Sequence, residues 1–573
     1  MNVKINMPMV RDNYIESLLT YYGVENIKDY LNPTADALID PTCLENIDAG
    51  YRLWKEVCER NGKICLVVDC DVDGWTSASI FYLYTKRHYP DIEIDYKLHE
   101  SKQHGLEDHI DWLEENPIYD LVVCPDSSSN DKEYHDRLIP YGMKVLVLDH
   151  HITDIELSEN AVVINNQLSP NYSNKDNTGA GIVWQFCRYI DRMENTSFAD
   201  DYIDLAALGV CSDMGSLLSI ENRYLLLEGF RNVKNFFFKV LVDKQSYSMG
   251  GKITPISVAF YITPMLNAMI RVGTMAEKTH LFEAFIDGTK MVPSNKRGAK
   301  GALEMVAIES ARECTNARTH QNKAKEEMVS RLAQKIEEER LLDNKILFVK
   351  LDDDMNFPSE LNGLVCMQLV SKYKRPALLG RENDEGFIKG SIRGMNNSAV
   401  DNFKQFLLDS GYFEYVQGHA NAAGFGVDGN HFDDVLSYAN QHLESVDFGD
   451  NHYEAHFERN ASDGDITRLI EDIDAHNNLW GTDVPEPMIY VKGISLDNIQ
   501  IMGKANDTLK ITHGNIAYMK FKAPEMIEEI KNASKDAKVN VIGRANINEW
   551  GGRRTPQLFI EDFEIVENNI FDF

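Results

Sequence analysis

An apolar run, Ile64-Cys65-Leu66-Val67-Val68, ends in Asp69-Cys70-Asp71-Val72-Asp73-Gly74, and no other stretch constrains the fold as tightly. A short, wholly apolar run reads as a buried strand of a parallel sheet. Three carboxylates at alternate positions, then a glycine, put hard oxygen ligands at the strand's C-terminal end, where open α/β sheets bind ligands. The pattern recurs twice. Leu121-Val122-Val123-Cys124-Pro125 leads to Asp126, and Val145-Leu146-Val147-Leu148 leads to Asp149-His150-His151. Three apolar strands that each end in acid or imidazole predict a metal site. Carboxylate-rich donors with some imidazole suit Mn²⁺ or Mg²⁺ better than a structural zinc.

Bulk properties narrow the class. At about 150 residues per domain, the 573 residues give three or four domains. Hydrophobic content of 43% and aromatic content of 10% exclude global disorder. The net charge of −32 counts against a nucleic-acid binder, yet net charge governs solubility and long-range attraction rather than a local channel. No apolar run reaches membrane-spanning length, and Met1 to Arg11 lacks a signal-peptide core. The nine cysteines are scattered without a Cys-x-x-Cys pair, which fits a reducing cytoplasm. A cytoplasmic protein without membrane contact is expected.

The expected fold class is α/β. Residues 1–60 read as a helical lead-in. Residues 61–290 read as one domain, in which strand-like and helical runs alternate to about 215, which predicts a parallel sheet with crossover helices, and 222–290 is mostly helical. Within them, Thr178-Gly179-Ala180-Gly181 opens a helix where backbones approach closely, and the small-residue run Asp204–Ser212 predicts a helix beneath the site that aims Asp213 into the cleft. Residues 291–344 are rich in helix formers and predict a long connecting helix. Its basic residues, among them Lys296, Arg297, Lys300, Arg312 and Arg318, read equally as a solvated face or a polyanion-facing stripe. Residues 345–450 read as a second α/β unit, and 451–573 as a small β-barrel.

The ordered series of acids and imidazoles resembles the DHH phosphoesterase superfamily, and within it the RecJ family of single-strand-specific 5′→3′ exonucleases. Asp69–Gly74, Asp126, Asp149-His150-His151 and Gly209–Asp213 match its four motifs in order. Pro264–Arg271 resembles the family's P-x-x-N-A-x-x-R segment. Lys389–Arg393 and Gly418–Phe425 resemble the signatures of the associated DHHA1 domain, and Val484–Pro487 with Asn548–Gly552 resemble the appended oligonucleotide-binding (OB) barrel.

The resemblance implies two Mn²⁺ ions, with Mg²⁺ as the alternative. Asp71 and Asp126 hold one, with Asp69 in or beside its shell. Asp73, Asp126, His150 and Asp213 hold the second, so Asp126 bridges. His151 contacts the scissile phosphate, and Asp149 orients a ligand histidine. Ser391 and Arg393 match the position that binds a 5′-terminal phosphate, Arg271 matches a contact to the substrate backbone, and His419 lies in the DHHA1 loop facing the cleft. Three departures stand out. Asp126 is followed by Ser127-Ser128-Ser129 where the family has Asn or Cys, then Gly; Gln417 precedes Gly418; and Lys102 and His104 stand, as substrate-binding candidates, where the family has a substrate-contacting arginine and tyrosine. In the barrel, Trp480, Tyr490, Trp550, Arg544, Arg553 and Arg554 are candidates for stacking and charge, with core positions the likelier place for the aromatics.

The leading expectation is therefore a metal-dependent, monomeric 5′→3′ exonuclease on single-stranded DNA, in recombination or repair, with a helicase and a single-strand-binding protein as conceivable partners. A phosphodiesterase for cyclic dinucleotides or very short oligonucleotides is the first alternative, and such enzymes need no appended barrel. A catalytically dead replication scaffold is the second, and it is disfavoured because every metal-ligand position is filled.

Overall fold

The apolar runs pair side by side in parallel. β1 (Ile64–Val68), β2 (Ile94–Leu98), β3 (Leu121–Pro125), β4 (Lys144–Asp149) and β5 (Ala161–Asn165) form one sheet in the order β2-β1-β3-β4-β5. The computed structural model describes all residues except 154, 353–354, 356, 396–397, 399, 449–451, 535 and 568–573, with the backbone alone at His452 and Trp550. In this order the chain leaves β1 first to one side and then to the other. The sheet therefore switches direction between β1 and β3, and a crevice opens at their carboxyl ends. Asp69 and Asp126 follow those two strands directly.

Three helices complete the floor of that crevice: α1 (Val72–His88), α2 (Gly179–Glu194) and α3 (Ile203–Ser212). Their buried faces are built from small residues, including Gly74, Ser77, Ala78, Gly179, Ala180, Ala206, Ala207 and Gly209. One face of the sheet buries Cys65, Val67, Val122, Cys124, Val145 and Val147 with Leu106, Ile110 and Leu113. On the other, Leu146 and Ile164 press close to Gly50. A buried carboxylate, Glu221, ties the lead-in down by accepting from the Ile39 amide (3.0 Å) and from Tyr172, Asn174 and Gln185.

The chain divides into two units. One comprises Glu16–Thr319 with His476–Glu486, and the other Met1–Ile15 with His320–Ala475 and Pro487–Phe573. The lead-in expected over 1–60 is thus split. Asn2–Ile5 is a strand that pairs in parallel with His452–Ala455, and Tyr14 bonds to Asp465 (3.0 Å). Such a pairing spans 450 residues and leaves no local signature. The connecting helix expected over 291–344 begins later. Met291–Pro293 and Leu303–Met305 form a short antiparallel pair, and the helix α5 runs Val306–Glu338. One segment departs from the expectation about membranes. Pro255–Val272 is long and apolar enough to cross one, yet it is 56% buried within the fold and interrupted by a π-helical turn at Val258–Ile262.

In the second unit, β6 (Leu347–Leu351), β7 (Ala377–Glu382), β8 (Phe387–Arg393), β9 (Phe413–His419) and β10 (Ala422–Asp428) form a mixed sheet in the order β9-β10-β8-β7-β6, flanked by α6 (Asn362–Tyr373). The C-terminal strands are β11 (Phe457–Asn460), β12 (Met488–Ser495), β13 (Ile499–Met502), β14 (Thr508–His513), β15 (Ile516–Lys520), β16 (Lys538–Trp550) and β17 (Arg553–Val566), in the order β11-β12-β16-β17-β15-β14-β13. Among the described residues no hydrogen-bonded pairing closes β11 onto β13. Leu146 is fully buried in β4. Leu146→Ala is expected to destabilise its unit by about 2–5 kcal/mol, read as a lower urea midpoint at unchanged slope; an unchanged midpoint would refute this packing.

Candidate metal centre

The acids converge because strand ends and helix starts meet in the crevice. Asp71 caps α1, accepting from the Gly74 amide at 3.1 Å. In the first turn of the same helix, buried Asp73 points toward the start of α2. It accepts from Thr178 Oγ1 (2.9 Å), the Gly179 amide (2.7 Å) and the Ala180 amide (3.1 Å). Free amides at a helix N-terminus favour a carboxylate. The approach needs glycine. A Cβ on Gly179 would lie 2.4 Å from Asp126 Oδ1, one on Gly209 2.3 Å from Asp73 Oδ1, and one on Gly74 2.5 Å from Asp69 Cβ. Gly179 lies in the run expected to bring backbones close and Gly209 in the small-residue run expected beneath the site, whereas the part played by Gly74 shows only in the packing.

Asp126 is 2% exposed, and its Oδ1 has no hydrogen-bond partner although His150 Nε2 lies 3.1 Å away. The same Nε2 lies 3.5 Å from Asp213 Oδ2. Among the described residues four sets of donor atoms lie close enough to share an ion: Asp69, Asp71 and Asp126; Asp69, Cys70 and His104; Asp73, His150 and Asp213; and Asp126, Asp149, His150 and His151. Burial, then the charges of Asp73, Asp71, Asp69 and Asp213, push Asp126 well above the ordinary carboxylate range. Burial, then Asp73 and Asp71, raise Asp213 to about 8. Burial also raises Asp69 and Asp73 and lowers His150. Crowded carboxylates and a neutral imidazole around an unsatisfied buried oxygen fit a divalent cation.

Asp149 differs from the expectation that it orients a metal-ligand histidine. Fully buried, it bonds the ring of His151 instead, Oδ1 to Nδ1 at 2.7 Å, and accepts the amides of Ser129, His150 and His151. The His150 ring faces Asp126 and Asp213. Burial pushes Asp149 up, but the His151 hydrogen bond and the charges of both imidazoles outweigh it and hold it well below the usual range. In return the Asp149 hydrogen bond raises His151 to about 9.

The serine loop after Asp126 keeps the turn that glycine would make. Asp126 and Ser128 adopt φ of 65° and 76°, a region costly to non-glycine residues. Ser128 Oγ donates to Asp131 Oδ2 at 2.7 Å, and Asn165 donates to Ser129 Oγ at 2.9 Å. Asp131 also accepts the Leu106 amide at 2.9 Å, linking this loop to the one that carries His104. His104, expected in place of a substrate-facing aromatic, turns to Asp69 instead, Nδ1 to Oδ2 at 2.8 Å. That hydrogen bond raises it to about 11. Lys102 is exposed.

Arg271 ends helix α4 (Thr263–Val272) with its Nε buried and unpartnered. Arg318 on α5 is close enough that burial, then the Arg271 charge, lower its pKa. Thr263 Oγ1 lies 3.1 Å from Ser212 Oγ, which fastens α4 beside Asp213. In the second unit, Ser391 and Arg393 share one face of β8. A Cβ on Gly363, in the first turn of α6, would lie 2.4 Å from Arg393 Nη2. His419 is exposed at the end of β9. Of the barrel candidates, Trp480 and Tyr490 are core residues, and Trp480 belongs to the first unit. Arg554 pairs with Glu549 at 3.0 Å and Arg544 lies 4.0 Å from Glu561. Arg553 is exposed, and the Trp550 side chain lies outside the described residues.

The chain matches known proteins in sequence and in fold. The "DHH family, N-terminal domain" model matches residues 63–210, and the "RecJ OB domain" model matches 460–562. The chain is 34% identical over 561 residues to YorK, a protein of the SPbeta prophage in Bacillus subtilis (strain 168) named as a candidate single-strand DNA-specific exonuclease, with 96% of each chain covered. It is 24% identical to the single-stranded-DNA-specific exonuclease RecJ of Bacillus subtilis (strain 168), covering 97% of this chain and 69% of that one. The crystal structure of RecJ from Thermus thermophilus with Mn²⁺ superposes with a TM-score of 0.73 at 19% identity, covering 98% of this chain and 79% of that one. The same protein with Mg²⁺ gives 0.66 at 18%, covering 98% and 78%.

The Asp149–His151 pair sets a pH dependence in the metal-free protein. The folded pKa of His151, about 9, exceeds its ordinary value, about 6.5. The pair therefore contributes fully below about pH 6.5 and is lost as pH rises through about 9. Histidine NMR should show one imidazole titrating near 9 that falls toward 6.5 in Asp149→Asn; the same midpoint in both proteins would break the assignment.

Proposed function

Since the chain belongs to the RecJ-like branch of the DHH superfamily, we propose that it is a metal-dependent exonuclease that hydrolyses single-stranded DNA from the 5′ end to mononucleotides. The observation that carries this reading is the unsatisfied, buried Asp126 Oδ1 within a ring of carboxylates and the His150 imidazole. Asp69, Asp71 and Asp126 would hold one Mn²⁺ or Mg²⁺, and Asp73, Asp126, His150 and Asp213 a second. Two bound cations would supply an activated water and charge neutralisation at the scissile phosphodiester.

The chain's own groups do the rest. Asp149 accepts the Nδ1–H of His151 and raises its pKa to about 9, so below that pH the ring is an imidazolium whose other N–H, on a side chain 48% exposed, can donate to a phosphate oxygen. Arg318 feels the charge of Arg271, and a phosphate between the two would stabilise both. Ser391 and Arg393 would take the 5′-terminal phosphate. Arg393 lies against the first turn of α6, and its guanidinium favours an anion there.

Single-stranded DNA labelled at its 5′ end, incubated with Mn²⁺, tests the reading. Early release of labelled mononucleotide, absent with EDTA and on blunt duplex, is expected. Cleavage of dinucleotides or cyclic dinucleotides alone would replace it with the small-substrate reading. Tight strand binding without any cleavage would favour a scaffold. Asp126→Ala should lower cleavage by more than about 100-fold while strand binding persists; substantial residual cleavage would remove Asp126 from the bridging role. Arg393→Ala should reduce the preference for a 5′-phosphate over a 5′-hydroxyl by about tenfold or more, and an unchanged preference would place that recognition elsewhere.

A further inference from the structure

We infer that His104 is a ligand of the cation held by Asp69, Asp71 and Asp126, and that it biases that position toward Mn²⁺ over Mg²⁺. The inference rests on the metal-centre reading above. His104 Nδ1 lies 2.8 Å from Asp69 Oδ2. Adjacent donors on a small octahedral ion with bonds of about 2.1 Å are about 3 Å apart, so this spacing suits two ligands of one ion as well as a hydrogen bond. Asp69, Cys70 and His104 each offer a donor atom within one shareable volume, and Asp69 belongs equally to the set with Asp71 and Asp126. His104 is thus joined to that set through Asp69.

The ring is placed by its loop although its side chain is 53% exposed. Gly105 turns with φ of +66°, and a Cβ there would meet Asp131 Oδ2 at 2.2 Å. The Gly105 amide approaches Asp69 Oδ1 at 3.4 Å, and the next amide, Leu106, donates to Asp131. The loop is thus pinned to Asp69 on one side and to the turn after Asp126 on the other. The chemistry gives the selectivity. Without His104 the position offers only carboxylate oxygens, a set Mg²⁺ accepts readily. An imidazole nitrogen adds a donor that suits first-row transition ions and that Mg²⁺ accepts poorly.

The full chain tests this by calorimetric titration with Mn²⁺ and with Mg²⁺, and by pulsed electron paramagnetic resonance of the Mn²⁺-loaded protein with ¹⁵N-labelled histidine. His104→Ala should weaken Mn²⁺ binding by about tenfold or more, leave Mg²⁺ binding much less affected, and remove one of two histidine nitrogen couplings. His104→Gln keeps an N–H for Asp69 but no ring nitrogen, and should behave like His104→Ala toward Mn²⁺. Wild-type Mn²⁺ affinity in His104→Gln, with the same nitrogen couplings as wild type, would reduce His104 to a hydrogen-bond donor and overturn the inference. Asp126→Ala separates the two levels. If it binds Mn²⁺ like wild type, the metal centre itself is misread; if it loses Mn²⁺ while His104→Ala does not, only the role of His104 falls.

Discussion

Buried negative charge at the sheet's switch point is the constraint on which the rest of this structure depends. Asp69, Asp73 and Asp126 are each 1–2% exposed and sit with Asp71 and Asp213 around one crevice. Carboxylates removed from water at such range cannot all stay ionised without compensation. The chain compensates in different ways at different acids. Asp73 receives the amides and hydroxyl at the start of α2, Asp149 a histidine and three amides, and Asp69 the ring of His104. Asp126 Oδ1 receives nothing, and it is there that a cation has most to offer.

This arrangement also explains the composition of the surrounding helices. Amides can reach Asp73, and α3 can pass beneath it, only where side chains are absent. Gly179 and Gly209 are therefore part of the site's geometry as much as the acids are. The buried small residues of α1, α2 and α3 serve the same close approach. The acidic surface of the protein as a whole is a separate matter, since most of its acids lie outside this ring.

Much of this was legible beforehand. Apolar runs ending in acids marked the strands of the sheet and the residues at its mouth, because strand burial and strand-end ligands leave a local pattern. What escaped was non-local or depended on orientation. The pairing of Asn2–Ile5 with His452–Ala455 joins distant segments. The partner of Asp149 turned out to be the neighbouring His151 rather than a metal-ligand histidine, a choice made by ring orientation. His104 was expected to face substrate from its place in a motif, whereas the loop angle set by Gly105 turns it to Asp69. Trp480 is core, the place favoured for the aromatics from the sequence, although composition alone cannot say which aromatic faces inward.

The cradle around Asp73 bears on the order in which the centre fills. Its carboxylate is oriented by backbone amides that exist as soon as α2 folds, so an ion arriving beside it meets a ligand already in place and spends little binding energy on ordering. Both positions share Asp126, whose free oxygen is steadied by no amide, but the neighbouring one is completed by Asp71, which accepts a single amide, and by Asp69, which an amide approaches only at 3.4 Å. The two halves of one centre thus differ in preorganisation, and occupancy should proceed in sequence, with the first cation easing the repulsion that the second must meet.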